Sequence, residues 1–409
     1  MDTTQTTPVS SAEIQSRPKL TLSERLFCQA LKSLSGGRLH LTFPSGAEVI
    51  VGEGGSRIES LHIQDSTFFR KVLAGGSVAF GEAYVDGLWT TSNLGGLLHL
   101  LARNQNETGR LQRGFSLVSQ KINQATHRLR KNTVAQSRQN IQAHYDLSNE
   151  FYAQFLDPTM TYSSALFVSA DQTLEQAQIR KINRMLDLAE VWPGDHILEI
   201  GSGWGALAIE AAKRGCTVTT ITLSDEQYAL AKERFDEEGV ADQIEIRLQD
   251  YRNLSGQFDA VVSCEMIEAV GKEFLPSYFK TIQASLKPGA KAVIQAITIP
   301  DERYESYSNS CDWIQKHIFP GGHLPSPGAI REQVDAAGEM VVQSMDGFGY
   351  DYAETLRRWA DDFNSNWSTI EPLGFDEAFR RKWNYYLSYC EAGFDEDLID
   401  VQHVVLERV

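Results

Sequence analysis

Gly201, Ser202, Gly203, Trp204 and Gly205 follow directly on the apolar run HILEI and lead into an apolar-periodic segment that begins near Ala206. Glycines spaced in this way let a backbone turn sharply and approach a ligand closely, beside a helix N-terminus whose amides face it. Three uses of such a loop stay open on this evidence: a structural turn, a dinucleotide site and a methyl-donor site. In nucleotide-binding sheets the second strand ends over the ribose, and that end reads Thr222-Leu223-Ser224 here, with Gln227 one helical turn later. The usual acidic ribose ligand is absent. Asp250-Tyr251-Arg252 follows the third strand, where an aromatic ring and a polar group can take adenine by its face and edge. Glu268 sits just beyond the strand carrying Ser263, the end of a parallel sheet where chemistry is expected. Its plain alternative is a solvated carboxylate at a helix start.

The elements that must hold these residues are legible from about Thr173 onward. A helix, LEQAQIRKINRMLDLA, passes through the turn WPGD to the strand HILEI; a helix to Arg214 and the strand TVTTITL follow the glycine loop. A helix to Glu237, the strands IEIRL and FDAVVS, the helix SYFKTIQASL and the strand AKAVIQAITI, after KPG, complete the series. Strands separated by helices imply a Rossmann-like α/β domain with a mostly parallel sheet, covered on both faces. Upstream, GGRLHLTF, AEVIVGE, RIESLHI and GGSVAFGEAYVDGLW are short apolar segments between glycine turns, which predicts a smaller α+β domain over 21–102. Residues 1–20 are rich in Thr, Ser, Gln and Pro and read as a disordered tail. The catalytic domain is expected over 139–409.

Between the two domains, 103–138 reads as a basic helical linker. It carries eight basic residues, Arg103, Arg110, Arg113, Lys121, Arg128, Arg130, Lys131 and Arg138, against the single acid Glu107. That window is +7 in a chain of net charge -16, so the remainder is -23. Leu111, Phe115, Val118, Ile122 and Leu129 recur roughly at helical spacing within it, so it suits an anionic membrane surface as well as a solvated linker. The overall negative charge argues against a nucleic-acid partner, and CEMIEAV after FDAVVS is unlike the Asn/Asp-Pro-Pro-Tyr loop that holds a flipped base. No apolar stretch reaches the roughly 18 residues needed to span a bilayer, and no signal-peptide pattern opens the chain. Five scattered cysteines without a CxxC pair read as reduced thiols, so a cytoplasmic protein is expected. No metal ligand set stands out.

LEIGSGWG, TLSDEQ, QDYR, MIEAVG and IFPGGHLPS, in this order and at these intervals, resemble the cyclopropane-fatty-acyl-phospholipid synthase family, which includes the mycolic acid cyclopropane synthases. The likeness runs from Gln142 into the C-terminal region, and GEAYVDGLW at Gly81 to Trp89 is similar to the family's N-terminal domain, which implies a lipid-binding-like domain over 21–102. It implies a class I methyltransferase fold with a seven-stranded sheet, S-adenosylmethionine as cofactor, and unsaturated acyl chains of membrane phospholipids as substrate. The resemblance places cofactor contacts on Tyr162, Ser163, Gly201, Ser202, Gly203, Trp204, Gly205, Thr222, Leu223, Gln227, Tyr251 and Arg252. It also implies an enzyme peripherally associated with the inner leaflet, and is compatible with a homodimer. A lipid-binding protein without catalysis is the rival from another class, and the intact cofactor motifs speak against it.

An alkene is a poor nucleophile, so such an enzyme must align it with the methyl donor, exclude water and stabilise a carbocation. Tyr352, Trp313 and Phe319 lie in segments that resemble the family's aromatic wall. The resemblance further implies a bicarbonate base held by a Glu, a His, a Tyr and backbone groups beside a Cys and an Ile. The Glu falls on Glu268, the Ile on Ile297 and the Tyr on Tyr352, whereas Ser164 stands for the Cys, Gln295 for the His, and Ala269 for a His that follows the Glu. A backbone amide at Ser164 and the Gln295 side-chain amide can still donate to an anion, yet no group at either His position titrates near neutrality. The place of proton loss decides between a cyclopropane and a methylene- or methyl-branched chain, and these substitutions favour the second.

Overall fold

The computed structural model describes residues 19–104 and 147–409, so of the basic window only Arg103 and Asn104 fall within it. Thr21 and Glu24 form a capping box that starts α1 (Leu22–Ala30). Four strands follow in the order β2-β1-β3-β4: β1 (Arg38–Thr42), β2 (Glu48–Val51), β3 (Ile58–Ile63) and β4 (Trp89–Thr90). β1 pairs antiparallel with β2 and parallel with β3, and its alternating pattern turns Leu39 and Leu41 inward.

The segment GGSVAFGEAYV is one stretch of α2 (Thr67–Val85), interrupted only where Gly76 takes φ 62° and ψ -142°. The sequence reading of short segments between glycine turns missed this. Its glycines are packing residues as much as turn residues: a Cβ on Gly81 would lie 2.7 Å from the rings of Trp313 and Tyr385 in the other domain. Gly81→Val is therefore expected to destabilise the protein by on the order of 1–3 kcal/mol, read as a lowered midpoint in urea unfolding. α3 (Leu94–Arg103) closes the small domain. It is tied to the C-terminal helix by His99 beside Glu391, Asp395 and Glu396, and by Arg103 on Glu396 at 2.7 Å.

The large domain is the expected α/β fold. Its seven strands run in the order β10-β11-β9-β8-β5-β6-β7. They are β5 (His196–Ile200), β6 (Thr217–Thr222), β7 (Ile244–Leu248), β8 (Phe258–Cys264), β9 (Leu286–Thr298), β10 (Met340–Gly347) and β11 (Asp400–Arg408). β5 to β9 pair in parallel and β11 runs against both of its neighbours. The central strands are buried along nearly their whole length, as their continuous apolar runs require when helices cover both faces. Those helices include α4 (Leu174–Leu188), α5 (Ala206–Lys213), α6 (Asp225–Glu237) and α7 (Leu275–Ser285), then α8 (Asp301–Ser308), α9 (Trp313–His317) and α10 (Pro327–Ala337). α11 (Gly349–Ser365) and α12 (Glu377–Asp395) pack together and carry Tyr352, Trp359, Trp383 and Tyr386 into a core shared with the small domain. Among the described residues no helix is long and apolar enough to cross a membrane.

Candidate active site

At the C-terminal ends of β5, β6 and β8 lies a cavity of about 170 Å³ walled by Tyr162, Ser163, Gly201, Ser202, Gly203, Trp204, Thr222, Leu223, Gln227 and Tyr251. Gly201 and Gly205 have φ of 97° and 90°, values that exclude most side chains. The amides of Gly201 and Ser202 both donate to the Ile221 carbonyl, fastening the glycine loop to the end of β6. Thr222 Oγ donates to Gln227 Oε1 at 2.8 Å, and Ser224 caps α6. Tyr251 stands edge-on to Tyr278 with a ring-centroid distance of 5.6 Å. Trp204 is nearly buried, its indole N–H donating to Asn149. Gly205 and Arg252 stand behind this wall. Gly205 is the N-cap of α5, and Arg252 makes a two-pronged pair with Asp250 while lying over the Tyr251 and Phe274 rings. The glycine loop, the capped helix start and the aromatic face suit an adenosine-bearing ligand.

A second cavity of about 560 Å³ meets the first at Tyr162, Glu265 and Ala269. Its walls are mainly apolar, and Glu268, Ile297, Phe319 and Tyr352 belong to them. Trp313 does not; it is buried behind, packed on Tyr385 at 4.7 Å. Tyr352 is stacked on Phe394 at 4.5 Å, and Tyr162 on Trp359 at 5.2 Å, so both rings are held rigidly.

The polar centre is organised around Glu265. The Ser164 amide donates to Glu265 Oε1 at 2.9 Å and the Gln295 side-chain amide at 2.7 Å, while Tyr352 Oη donates to Oε2 at 2.7 Å. The backbone of Glu265 has φ 47°, a left-handed conformation that a non-glycine residue holds only where its surroundings enforce it. Burial pushes its carboxyl pKa up; the nearby Lys181 ammonium and the three donors oppose that shift. Glu268, three residues on, accepts from the Ile297 amide with one oxygen, and its other oxygen has no hydrogen-bond partner among the described residues. Burial first and the Glu265 charge second raise its pKa to about 8.

Three groups of this centre escape the motif reading. Glu265 lies at the same strand end as Glu268, so the placement argument used for one applied equally to the other. His403 is fully buried on β11 and bonds Gln295 Oε1 at 2.9 Å. Burial lowers its pKa to about 3, so the ring is neutral and its Nε2–H orients the amide with the NH2 toward Glu265. Nothing local in the sequence marks a partner 108 residues away. Lys181 on α4 is also fully buried, donating to Ser163 Oγ at 2.6 Å and Cys264 Sγ at 3.3 Å. In sequence it is one of several charges on an amphipathic helix.

A raised carboxyl pKa has a stability consequence. Glu268 holds its proton more tightly folded than unfolded, so its contribution is fully present below the usual carboxylate pKa and is lost as pH rises toward about 8. Glu268→Gln should therefore gain thermal stability over the parent at pH 8, with the difference vanishing near pH 4. The same variant is expected to lose product while keeping cofactor affinity, because the carboxyl group lines the larger, apolar cavity and not the one beside the glycine loop. Equal melting curves at both pH values would contradict the first expectation, and unchanged turnover the second.

The description of mycolic acid cyclopropane synthetases matches residues 132–404. The chain is 40% identical over 392 residues to the tuberculostearic acid methyltransferase UfaA1 of Mycobacterium tuberculosis, covering 90% of this chain and 88% of that one. It is 34% identical over 366 residues to the cyclopropane-fatty-acyl-phospholipid synthase of Escherichia coli, covering 87% and 89%. Among solved structures, the cyclopropane synthase MmaA2 from Mycobacterium tuberculosis superposes with a TM-score of 0.61 at 30% identity, over 66% of this chain and 98% of that one. The mycolic acid cyclopropane synthase CmaA1, solved in complex with SAH and CTAB, matches with the same values. A glycine-loop cavity abutting an apolar one, in a chain so matched, makes this protein an enzyme of the mycolic acid cyclopropane synthetase family, a lipid methyltransferase that uses S-adenosylmethionine.

Proposed function

We propose that the enzyme methylates the cis double bond of an unsaturated acyl chain of a membrane phospholipid, and that Glu265 takes the proton released, leaving a methylene- or methyl-branched chain. The observation that carries this reading is the Glu265 carboxylate seated on Ser164 N, Gln295 Nε2 and Tyr352 Oη. These are donors that the family resemblance assigns to bicarbonate. With all three already turned to a carboxylate of the chain itself, the residues do not fit a bicarbonate ion at that place, and the base is built in.

S-adenosylmethionine, when bound along Gly201 to Trp204, Thr222, Gln227 and Tyr251, supplies an electrophilic methyl group to one alkene carbon. The neighbouring carbon of the acyl chain is left positive, and the Tyr352 and Phe319 rings of the cavity stabilise it. A hydride shift from the methylated carbon moves the charge onto that carbon, and proton loss from the new methyl to Glu265 leaves an exocyclic methylene. Proton loss before the shift would close a ring. The apolar walls exclude water, which would otherwise capture the cation. Tyr162, Glu265 and Ala269 stand where the two cavities meet, and the Ile297 amide holds Glu268 three residues on from Glu265.

The relative named a methyltransferase, at 40% identity, supports branching over ring closure, and the relative named for fatty-acyl-phospholipid supports the substrate. A substrate held in a bilayer would require the enzyme to work at a membrane surface, for which the cytoplasmic face is the side we propose. The test is turnover of purified enzyme on monounsaturated phospholipid vesicles in carbon dioxide-depleted buffer. Methylated acyl product at an undiminished rate is expected; a rate that collapses without bicarbonate would return the chain to the ring-forming reading.

A further inference from the structure

The larger cavity does not end in the catalytic domain. It continues between α1, α2 and the small sheet, where Leu31, Leu39, Leu61 and Leu98 form an apolar arm. The family match begins only at residue 132, so this arm lies outside it. Four residues of the cavity wall are exposed. One, Ala269, faces the cofactor cavity; the other three, Leu26, Gln29 and Ser77, sit on α1 and on α2 next to its break at Gly76. Tyr307, Leu324, Leu398 and Ile399, in the catalytic-domain part of the wall, are half-buried. Apart from Ala269, the exposed residues of the cavity wall therefore all lie at the small domain.

The rim of that opening is unusual for an acidic protein. Leu22 is 74% exposed and Leu26 51%, side by side on one helix. The exposed ionisable side chains of 19–33 are Lys19, Arg25 and Lys32, because the one acid, Glu24, is buried in the capping box. Two apolar side chains ringed by cations match the interface of an anionic bilayer, where leucine enters the acyl region and cations meet the headgroups.

Taking the phospholipid substrate proposed above as given, we infer that α1 and the broken α2 form a membrane-docked portal through which the acyl chain enters, its ester-side segment lying in the small-domain arm and its methyl end in the catalytic-domain part of the cavity. The small domain then acts as a conduit from bilayer to active site, and the distance from portal to Glu265 sets which part of the chain reaches the methyl donor.

The experiment compares wild type with Leu22→Glu on anionic phospholipid vesicles and on the same lipid dispersed in detergent. Leu22 lies on the rim outside the cavity wall, and an acid in the first turn of a helix is compatible with folding. Sedimentation with vesicles and turnover on them should fall roughly tenfold or more, with turnover in detergent held within about twofold. Ser77→Trp, which narrows the mouth, should slow both formats and leave S-adenosylmethionine affinity unchanged. Vesicle sedimentation of Leu22→Glu equal to wild type overturns the portal, as does an equal loss in both formats. A shift from dimer to monomer with vesicle binding intact would give the patch to a second copy and also overturn it. Wild type that sediments with vesicles but methylates phospholipid in neither format overturns the substrate reading instead.

Discussion

Glu265→Gln is expected to lower turnover roughly a hundredfold to ten-thousandfold, the range for removal of a positioned general base, with S-adenosylmethionine affinity nearly unchanged. The substitution is well matched to its surroundings. The amide oxygen still accepts from Ser164 N and Gln295 Nε2, and the amide NH2 donates to Tyr352 Oη, which accepts as readily as it donates. Shape and hydrogen bonds survive while basicity is lost, so a fall in kcat with a melting temperature that is not lowered assigns the effect to proton transfer. Retained turnover would remove Glu265 from the chemistry. In the parent enzyme the same group predicts an acid limb in the pH–rate profile displaced upward from an ordinary carboxylate, because burial favours its protonated form. Lys181, buried near Glu265 and attracting its charge, limits that displacement.

Glu265→Gly should be rescued by bicarbonate. Glycine adopts φ 47° without strain, so the substitution removes the carboxylate and leaves the strand end undisturbed. Ser164 N, Gln295 Nε2 and Tyr352 Oη then converge on an empty, buried place next to Glu268. A small carboxylate-like anion is the ligand those donors suit. The variant should be nearly inactive in carbon dioxide-depleted buffer and recover turnover saturably, by roughly tenfold or more, as bicarbonate is added, while wild type responds little. No response of the variant at any bicarbonate concentration would mean that the three donors do not constitute an anion site.

How much of this was legible beforehand follows the range of the interactions involved. The α/β domain was readable because buried parallel strands are written as local apolar runs, and each of HILEI, TVTTIT, IEIRL and FDAVVS is a strand in place. α2 was not, because glycines at 75, 76 and 81 read as turns when only one of them breaks the helix. Gly201 to Trp204 and Tyr251 line the smaller cavity at the strand ends, whereas Gly205 stands behind it, Arg252 turns to its neighbour Asp250 and Trp313 to Tyr385. Ser164, Gln295 and Tyr352 do converge, but on Glu265. That convergence joins four segments of the chain, and only their packing shows that a carboxylate of the protein occupies the centre. The basic window beyond Asn104 lies outside the described residues, and α1 now offers a second basic and apolar surface for a membrane.

The central claim is that a carboxylate of the protein itself takes the last proton and the product is branched. The most direct measurement is the proton NMR spectrum of acyl chains recovered after purified enzyme, S-adenosylmethionine and a monounsaturated phospholipid have reacted in bicarbonate-free buffer. A cyclopropane and an exocyclic methylene have the same mass but different protons. Proton loss to Glu265 should give olefinic signals of a terminal =CH2 or of a methyl-branched alkene, whereas high-field ring-methylene signals would mean that the ring has closed.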